Sequence, residues 1–248
     1  DAVVVNQNLS TTAVNTSGGG AGSNAVSGGV TLTAAGSISG AGTISTGSAT
    51  ADDASTGGTS TTATSGSISL TATGANVQLG KLTTGAATVS NVNEGASTDT
   101  ATAGTISLSG ASLGTSTGTP QTLALGSGTG GAASVGGLLN LTATAGNIFV
   151  SSDAALRVKD LTTQAATANT VDIRTTGGKA IVFDSTGTYA NVSGSGTANN
   201  GDAINVVTDT TGGTVTFNKA LDAGSITVSA GDAVVVNQNL STTAVNTS

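Results

Sequence analysis

Two aliphatic residues at i and i+2, followed within a few positions by glycine, form a phrase that recurs seven times along this chain. It reads VTLTAAG from Val30, ISLTATG from Ile68, ISLSG from Ile106, LNLTATAG from Leu139, VDIRTTG from Val171, INVVTDTTG from Ile204 and ITVSAG from Ile226. Residues two apart share one face of a strand, so Val30/Leu32, Ile68/Leu70, Ile106/Leu108, Leu139/Leu141, Val171/Ile173, Ile204/Val206 and Ile226/Val228 each point inward together. The glycine permits the bend that follows. No apolar period of 3.6 residues is present, and glycine and β-branched residues form helix poorly, so the pattern argues against helix.

A second feature sets the length scale. Residues 1–17 read DAVVVNQNLSTTAVNTS and residues 232–248 repeat them letter for letter, an offset of 231 residues (232 − 1). Such a match marks a tandem repeat. The expectation is one continuous segment over 1–248, with 1–231 as a full period and 232–248 as the start of the next identical repeat. Counted from the second aliphatic of each phrase, the intervals are 38, 38, 33, 32, 33 and 22 residues, and 35 more close the period. Each interval reads as one coil, about seven per period.

Further aliphatic clusters fit that division. Ile38, Val77/Leu79, Leu113, Ile148/Val150, Ile181/Phe183, Val215/Phe217 and Val234/Val236 follow the glycines, and Ile44, Leu82, Leu123/Leu125, Leu156/Val158, Tyr189, Leu221 and Leu240 follow those. Three inward strands per coil is the cross-section of a parallel β-helix. The predicted fold class is therefore all-β, a β-solenoid. Polar stretches from Thr16, Ala49 and Asn91 recur at one place in successive coils and are expected as loops or weak outer strands on one edge. A pair of immunoglobulin-like sandwiches per period is the competing layout, but it calls for strands at 8 to 12-residue spacing and usually a core aromatic.

Composition narrows the chemistry. The chain has no His, Cys, Met or Trp, which removes thiol chemistry, the usual zinc sites and imidazole-based acid–base schemes. Six basic against thirteen acidic residues give a formal charge of −7, with 8% charged overall, so nucleic acid is not an expected partner. The apolar runs are too short to span a membrane.

The extended phrase, as in GSISLTATGANVQLGKLTT from Gly66 and GSITVSAGDAVVVNQNLSTT from Gly224, resembles the filamentous-haemagglutinin type of large, tandemly repeated bacterial surface adhesin. That resemblance implies a right-handed parallel β-helix, secretion to the cell surface, and a structural or adhesive role. The partners it implies are neighbouring repeats end to end, other copies laterally, or a host or partner cell surface.

Five of the six basic residues lie between Asp153 and Lys219. Of these, Arg157, Lys159, Arg174 and Lys179 form the candidate surface contact patch, since stacked coils would bring Arg157 and Arg174 close enough to meet a carbohydrate or a carboxylate. Solvated ion pairs between coils are the plainer reading. Asp52, Asp53, Glu94 and Asp99 in the polar stretches are oxygen donors suited to weak calcium binding, though without EF-hand spacing. No other cofactor is implied. The adjacent Asp52 and Asp53 would face opposite ways in an extended chain and so do not supply the fixed carboxylate pair of glycoside hydrolysis. No catalytic residue is assigned, and the chain is expected not to be an enzyme.

Overall fold

The computed structural model describes residues 1–16, 22–52, 60–90, 99–130, 133–164, 168–190 and 201–242. Among them the structure is all-β, without helix, and every strand-to-strand pairing is parallel. A first long sheet stacks Val30–Ala34, Ile68–Ala72, Ile106–Gly110, Leu139–Ala143, Leu156–Thr162, Ile181–Ala190, Val215–Phe217 and Val234–Val236, each beside the next. Each partner therefore arrives one pass of the chain later. The first four phrases sit in the expected register, with Val30 on Ile68, Ile68 on Ile106 and Ile106 on Leu139.

The last three phrases do not continue that column. Leu139 pairs next with Val158 and Leu141 with Leu161, rather than with the phrase at Val171. Thr170–Thr175, Ala203–Val207 and Ser225–Ser229 belong to a second long sheet, which begins with Leu9–Ser10, Ile44–Ser45, Leu82–Thr83 and Gln121–Ala124 and passes through Ile148–Ser152. The reason is a change in the length of a pass. In the early passes two short core strands, such as Val77–Gln78 and Leu82–Thr83, and two outer strands, such as Ala87–Ser90 and Thr100–Thr102, separate successive phrases. After Leu139 the single strand Ile148–Ser152 covers both columns: Ile148 bridges Leu113 and Val150 pairs with Gln121. A third column reopens later, where Leu221–Ala223 pairs with Leu240–Thr242. The sequence-level alignment of seven equivalent phrases is thus corrected to two columns that exchange lengths of chain.

One apolar core runs between these sheets. Ile68, Leu70, Ile106, Leu139, Leu141, Ile148, Val171 and Ile173 are among its buried members. Each fully buried aliphatic contributes roughly 1.5–3 kcal/mol by removal from water. Phe183 and Phe217 stack one pass apart at 4.7 Å, and Tyr189 meets Phe183 edge-on at 5.7 Å.

Of the two expectations for the polar stretches, loops or outer strands, it is outer strands that form among the described residues. Val14–Thr16, Ala49–Asp52, Ala87–Ser90 and Gly128–Thr129 form one outer four-stranded sheet, and Asn24–Val26, Thr62–Thr64, Thr100–Thr102 and Ala133–Val135 form another. Their alternation of Ala and Thr places Ala25, Ala49, Ala51, Ala63, Ala87 and Ala101 in a second, miniature core with Val89. Where these outer sheets join the main core, hydroxyls and glycines interlock. Thr46 donates to the Gly66 carbonyl at 2.6 Å and accepts from the Gly85 amide at 3.2 Å; Ser65 donates to the Gly85 carbonyl at 2.6 Å and accepts from the Gly104 amide at 2.7 Å. Thr11 and Thr84 accept from Gly47 and Gly126 in the same way. The hydroxyl column ends at Leu125, and the next pass has no outer strands among the described residues. Glycine is required here by closeness rather than by torsion: a Cβ on Gly85 would stand 2.3 Å from the Gly47 carbonyl oxygen.

Candidate functional site

The four candidate basic residues divide between sheets. Arg157 lies on Leu156–Thr162 of the first long sheet, and Arg174 lies on Thr170–Thr175 of the second. In the stack Arg157 lies beside Val182, and Arg174 beside Ser151 and Val207, so the two are not direct strand partners. Arg174 forms a two-pronged pair with Asp172, two residues earlier on its own strand, through Nε to Oδ1 and Nη2 to Oδ2 at 2.8 Å. That contact, above all its hydrogen bond, raises the arginine's pKa. Arg157 donates through Nε to Asp184, whose carboxylate is 2% exposed. Burial pushes the Asp184 pKa up. The Thr186 hydroxyl at 2.7 Å, the Thr186 amide at 2.8 Å and Arg157 outweigh it and hold the group below the ordinary carboxylate value. Lys159 sits at the irregularity between Val158 and Asp160 where the strand shifts register.

Arg157 and Lys179 do border one groove. With Asp153 they line an open groove of about 510 Å³, floored by Leu125, Gly126, Gly137 and Val182. Asp153 is itself paired with Lys81 at 2.5 Å. Lys179 closes the turn after Thr175–Thr176, its carbonyl accepting the Thr175 hydroxyl at 2.6 Å. The groove thus offers two cationic side chains over a glycine-lined floor, an arrangement suited to a weak contact with a carboxylate or hydroxyl-rich ligand. Lys159 and Arg174 do not line it.

Sequence reading missed Asp209. Its carboxylate accepts from the Gly178 amide at 2.9 Å and from Gly177, and from the hydroxyl of Thr211 at 2.6 Å, so it fastens the Gly177–Gly178 turn to the next pass. The Thr211 hydroxyl first, then these amides, lower its pKa. The signal was a TDTTG string following a TTGG string one pass earlier, which reads as ordinary polar turn sequence until the passes are stacked.

Of the calcium candidates, Asp53 and Glu94 lie outside the described residues. Asp99 is buried and accepts the Thr61 amide at 2.9 Å, a backbone-capping role at the start of an outer strand. Asp52 faces Ser90 one pass on, at 3.4 Å. Among the described residues no three acidic side chains converge as a metal site. Comparison with known protein families, curated proteins and solved structures finds no match to this chain.

Proposed function

We propose that the chain is a structural and adhesive segment of a secreted, tandemly repeated protein of the bacterial cell surface, folded as a right-handed β-solenoid of about seven coils per 231-residue period. Its work is to span distance and to carry the outer sheets and the Arg157–Lys179 groove as contact surfaces, without catalysis. The observation that carries this reading is the stacking itself: eight parallel strands in one column, each one pass after the last, in a chain whose opening segment returns at its other end. Seven steps separate Val30–Ala34 from Val234–Val236, and at about 4.8 Å per step they advance roughly 34 Å.

A second reading, a self-assembling sheath or filament subunit, draws on the large exposed apolar side chains. Val4, Leu9 and Val26 lie in the first pass and Val234, Val235 and Val236 in the last. Small-angle scattering on one period and on two periods in tandem tests the solenoid. A rod that lengthens by roughly 34 to 38 Å per period, seven to eight steps, supports it; two compact beads on a joint would refute it, and lateral association of the single period would favour the subunit reading.

A further inference from the structure

The duplicated segment appears in two surroundings. In its first copy Val3–Val4 and Leu9–Ser10 are covered only by a later pass, pairing with Ile38–Ser39 and Ile44–Ser45. In its second copy Val234–Val236 and Leu240–Thr242 are covered only by an earlier pass, pairing with Val215–Phe217 and Leu221–Ala223. The hydrogen bonds use different backbone groups. In the first copy the amides of Val3, Val5 and Leu9 donate to Ser37, Ser39 and Thr43. In the second, the Ala233 and Asn239 carbonyls accept from Val215 and Leu221, and the Asn237 amide donates to Phe217. These correspond to Ala2, Asn8 and Asn6 of the first copy. None of these groups is used in both copies, so one pass could hold both sets of bonds at once.

Side-chain exposure agrees. Val3 and Val5 pack against the core, whereas Val234 and Val236, the same residues, are 48% and 50% exposed. Two further edges match. Ile226 and Val228, at the open edge of the second long sheet, are only partly buried, and so is Leu32 at the open edge of the first, although its stacked equivalents Leu70 and Leu108 are buried. On Ser225–Ser229 the Ser225 amide and the Ser229 carbonyl are bonded to the preceding pass, which leaves the backbone groups of Ile226 and Val228 facing outward along the stack. On Val30–Ala34 the Val30 amide is bonded to the following pass, which leaves Thr31 facing the other way. The two edges are in phase for Ile226 on Val30 and Val228 on Leu32.

Resting on the solenoid reading, we propose that the C-terminal end of one period is the docking surface for the next copy of the same sequence, and that the join exchanges faces. Ser225–Ser229 of the second long sheet receives Val30–Ala34 of the next period, which there founds the first long sheet. The first long sheet ends in Val234–Val236, which is Val3–Val5 of the next period and founds the column of Ile38 and Val77. A line of stacked strands therefore changes role at every junction, and the outer sheets leave from a different edge of the rod in each successive period.

The chain lacks cysteine, so engineered thiols report the register without background. The probe is a two-period chain carrying Thr227→Cys in the first period and Thr31→Cys in the second, with Thr31→Cys/Ser69→Cys inside one period as reference, since Thr31 and Ser69 are stacked partners. Neighbouring strands hold their Cα atoms about 4.8 Å apart, within the span of a disulfide. Mild oxidation followed by peptide mass mapping should find the junction disulfide to an extent within about twofold of the reference. A rod by scattering, with the reference disulfide formed and the junction disulfide absent, overturns the face exchange while leaving the solenoid standing. Two separate beads without the junction disulfide overturn both.

Discussion

Replacing Thr46 by valine isolates the join between the main core and the outer sheets. Valine keeps the shape and volume of threonine, so little cavity or transfer cost is expected, and the loss falls on two hydrogen bonds. The Thr46 hydroxyl donates to the Gly66 carbonyl at 2.6 Å and accepts from the Gly85 amide at 3.2 Å, in a position 6% exposed. Leaving a buried backbone group without its partner costs about 1–3 kcal/mol, so two such groups imply roughly 2–4 kcal/mol once some relaxation is allowed. Hydrogen exchange read by mass spectrometry measures this locally, because the Gly85 amide reports the opening of that bond. Exchange there should accelerate by about 30-fold or more, since each 1.4 kcal/mol is a factor of ten, and the urea midpoint should fall. The control is Thr31→Val on an exposed outward position, expected within about 0.5 kcal/mol of the parent. Unchanged protection at Gly85 together with an unchanged midpoint in Thr46→Val would refute the view that these hydroxyls hold the outer sheets to the core.

Two further outcomes follow from the same geometry. Gly85→Ala should destabilise by more than about 2 kcal/mol, because its Cβ would meet the Gly47 carbonyl oxygen at 2.3 Å and the Ser48 nitrogen at 2.5 Å, both backbone; Gly136→Ala, which meets nothing within 4 Å, should be neutral by urea unfolding. Asp184 is held below the ordinary carboxylate pKa, so its contribution is fully present above the unfolded value near 3.9 and is lost as pH falls through its folded value. Asp184→Asn should therefore flatten the acid limb of the urea midpoint plotted from about pH 6 to pH 2, and identical limbs for parent and variant would contradict the pairing with Thr186 and Arg157.

The strands were legible wherever aliphatics alternate, because burial on one face forces the choice of residue at i and i+2. The phrases at Val30, Ile68, Ile106 and Leu139 even carried their register. The column could not be followed past Leu139, since the clusters that start at Leu156 and at Val171 have the same local pattern and only the number of strands per pass separates them. The outer sheets were foreseen only as an alternative to loops, for a different reason. Ala–Thr alternation in TAT at Thr62 and Thr100 carries little hydrophobic contrast, yet a methyl group fills the narrow gap between two closely spaced sheets. Clustering in sequence singled out Arg157 and Lys179, which border one groove, but not the pairing of Arg174 with its own strand's Asp172, because an i, i+2 ion pair looks the same in the sequence as two charges bound for different partners.

The unequal passes give the chain a graded response to tension. In a parallel stack the interstrand hydrogen bonds lie along the stacking direction, so a pull on the two ends opens them one pass after another instead of shearing a whole sheet at once. The pass from Ile68 to Ile106 stores 38 residues and that from Leu139 to Val158 stores 19. At about 3.4 Å per extended residue these release roughly 130 Å and 65 Å of slack. Yielding would thus come in long and short increments in a fixed order of passes, a spring whose step sizes are written in the lengths of its outer strands.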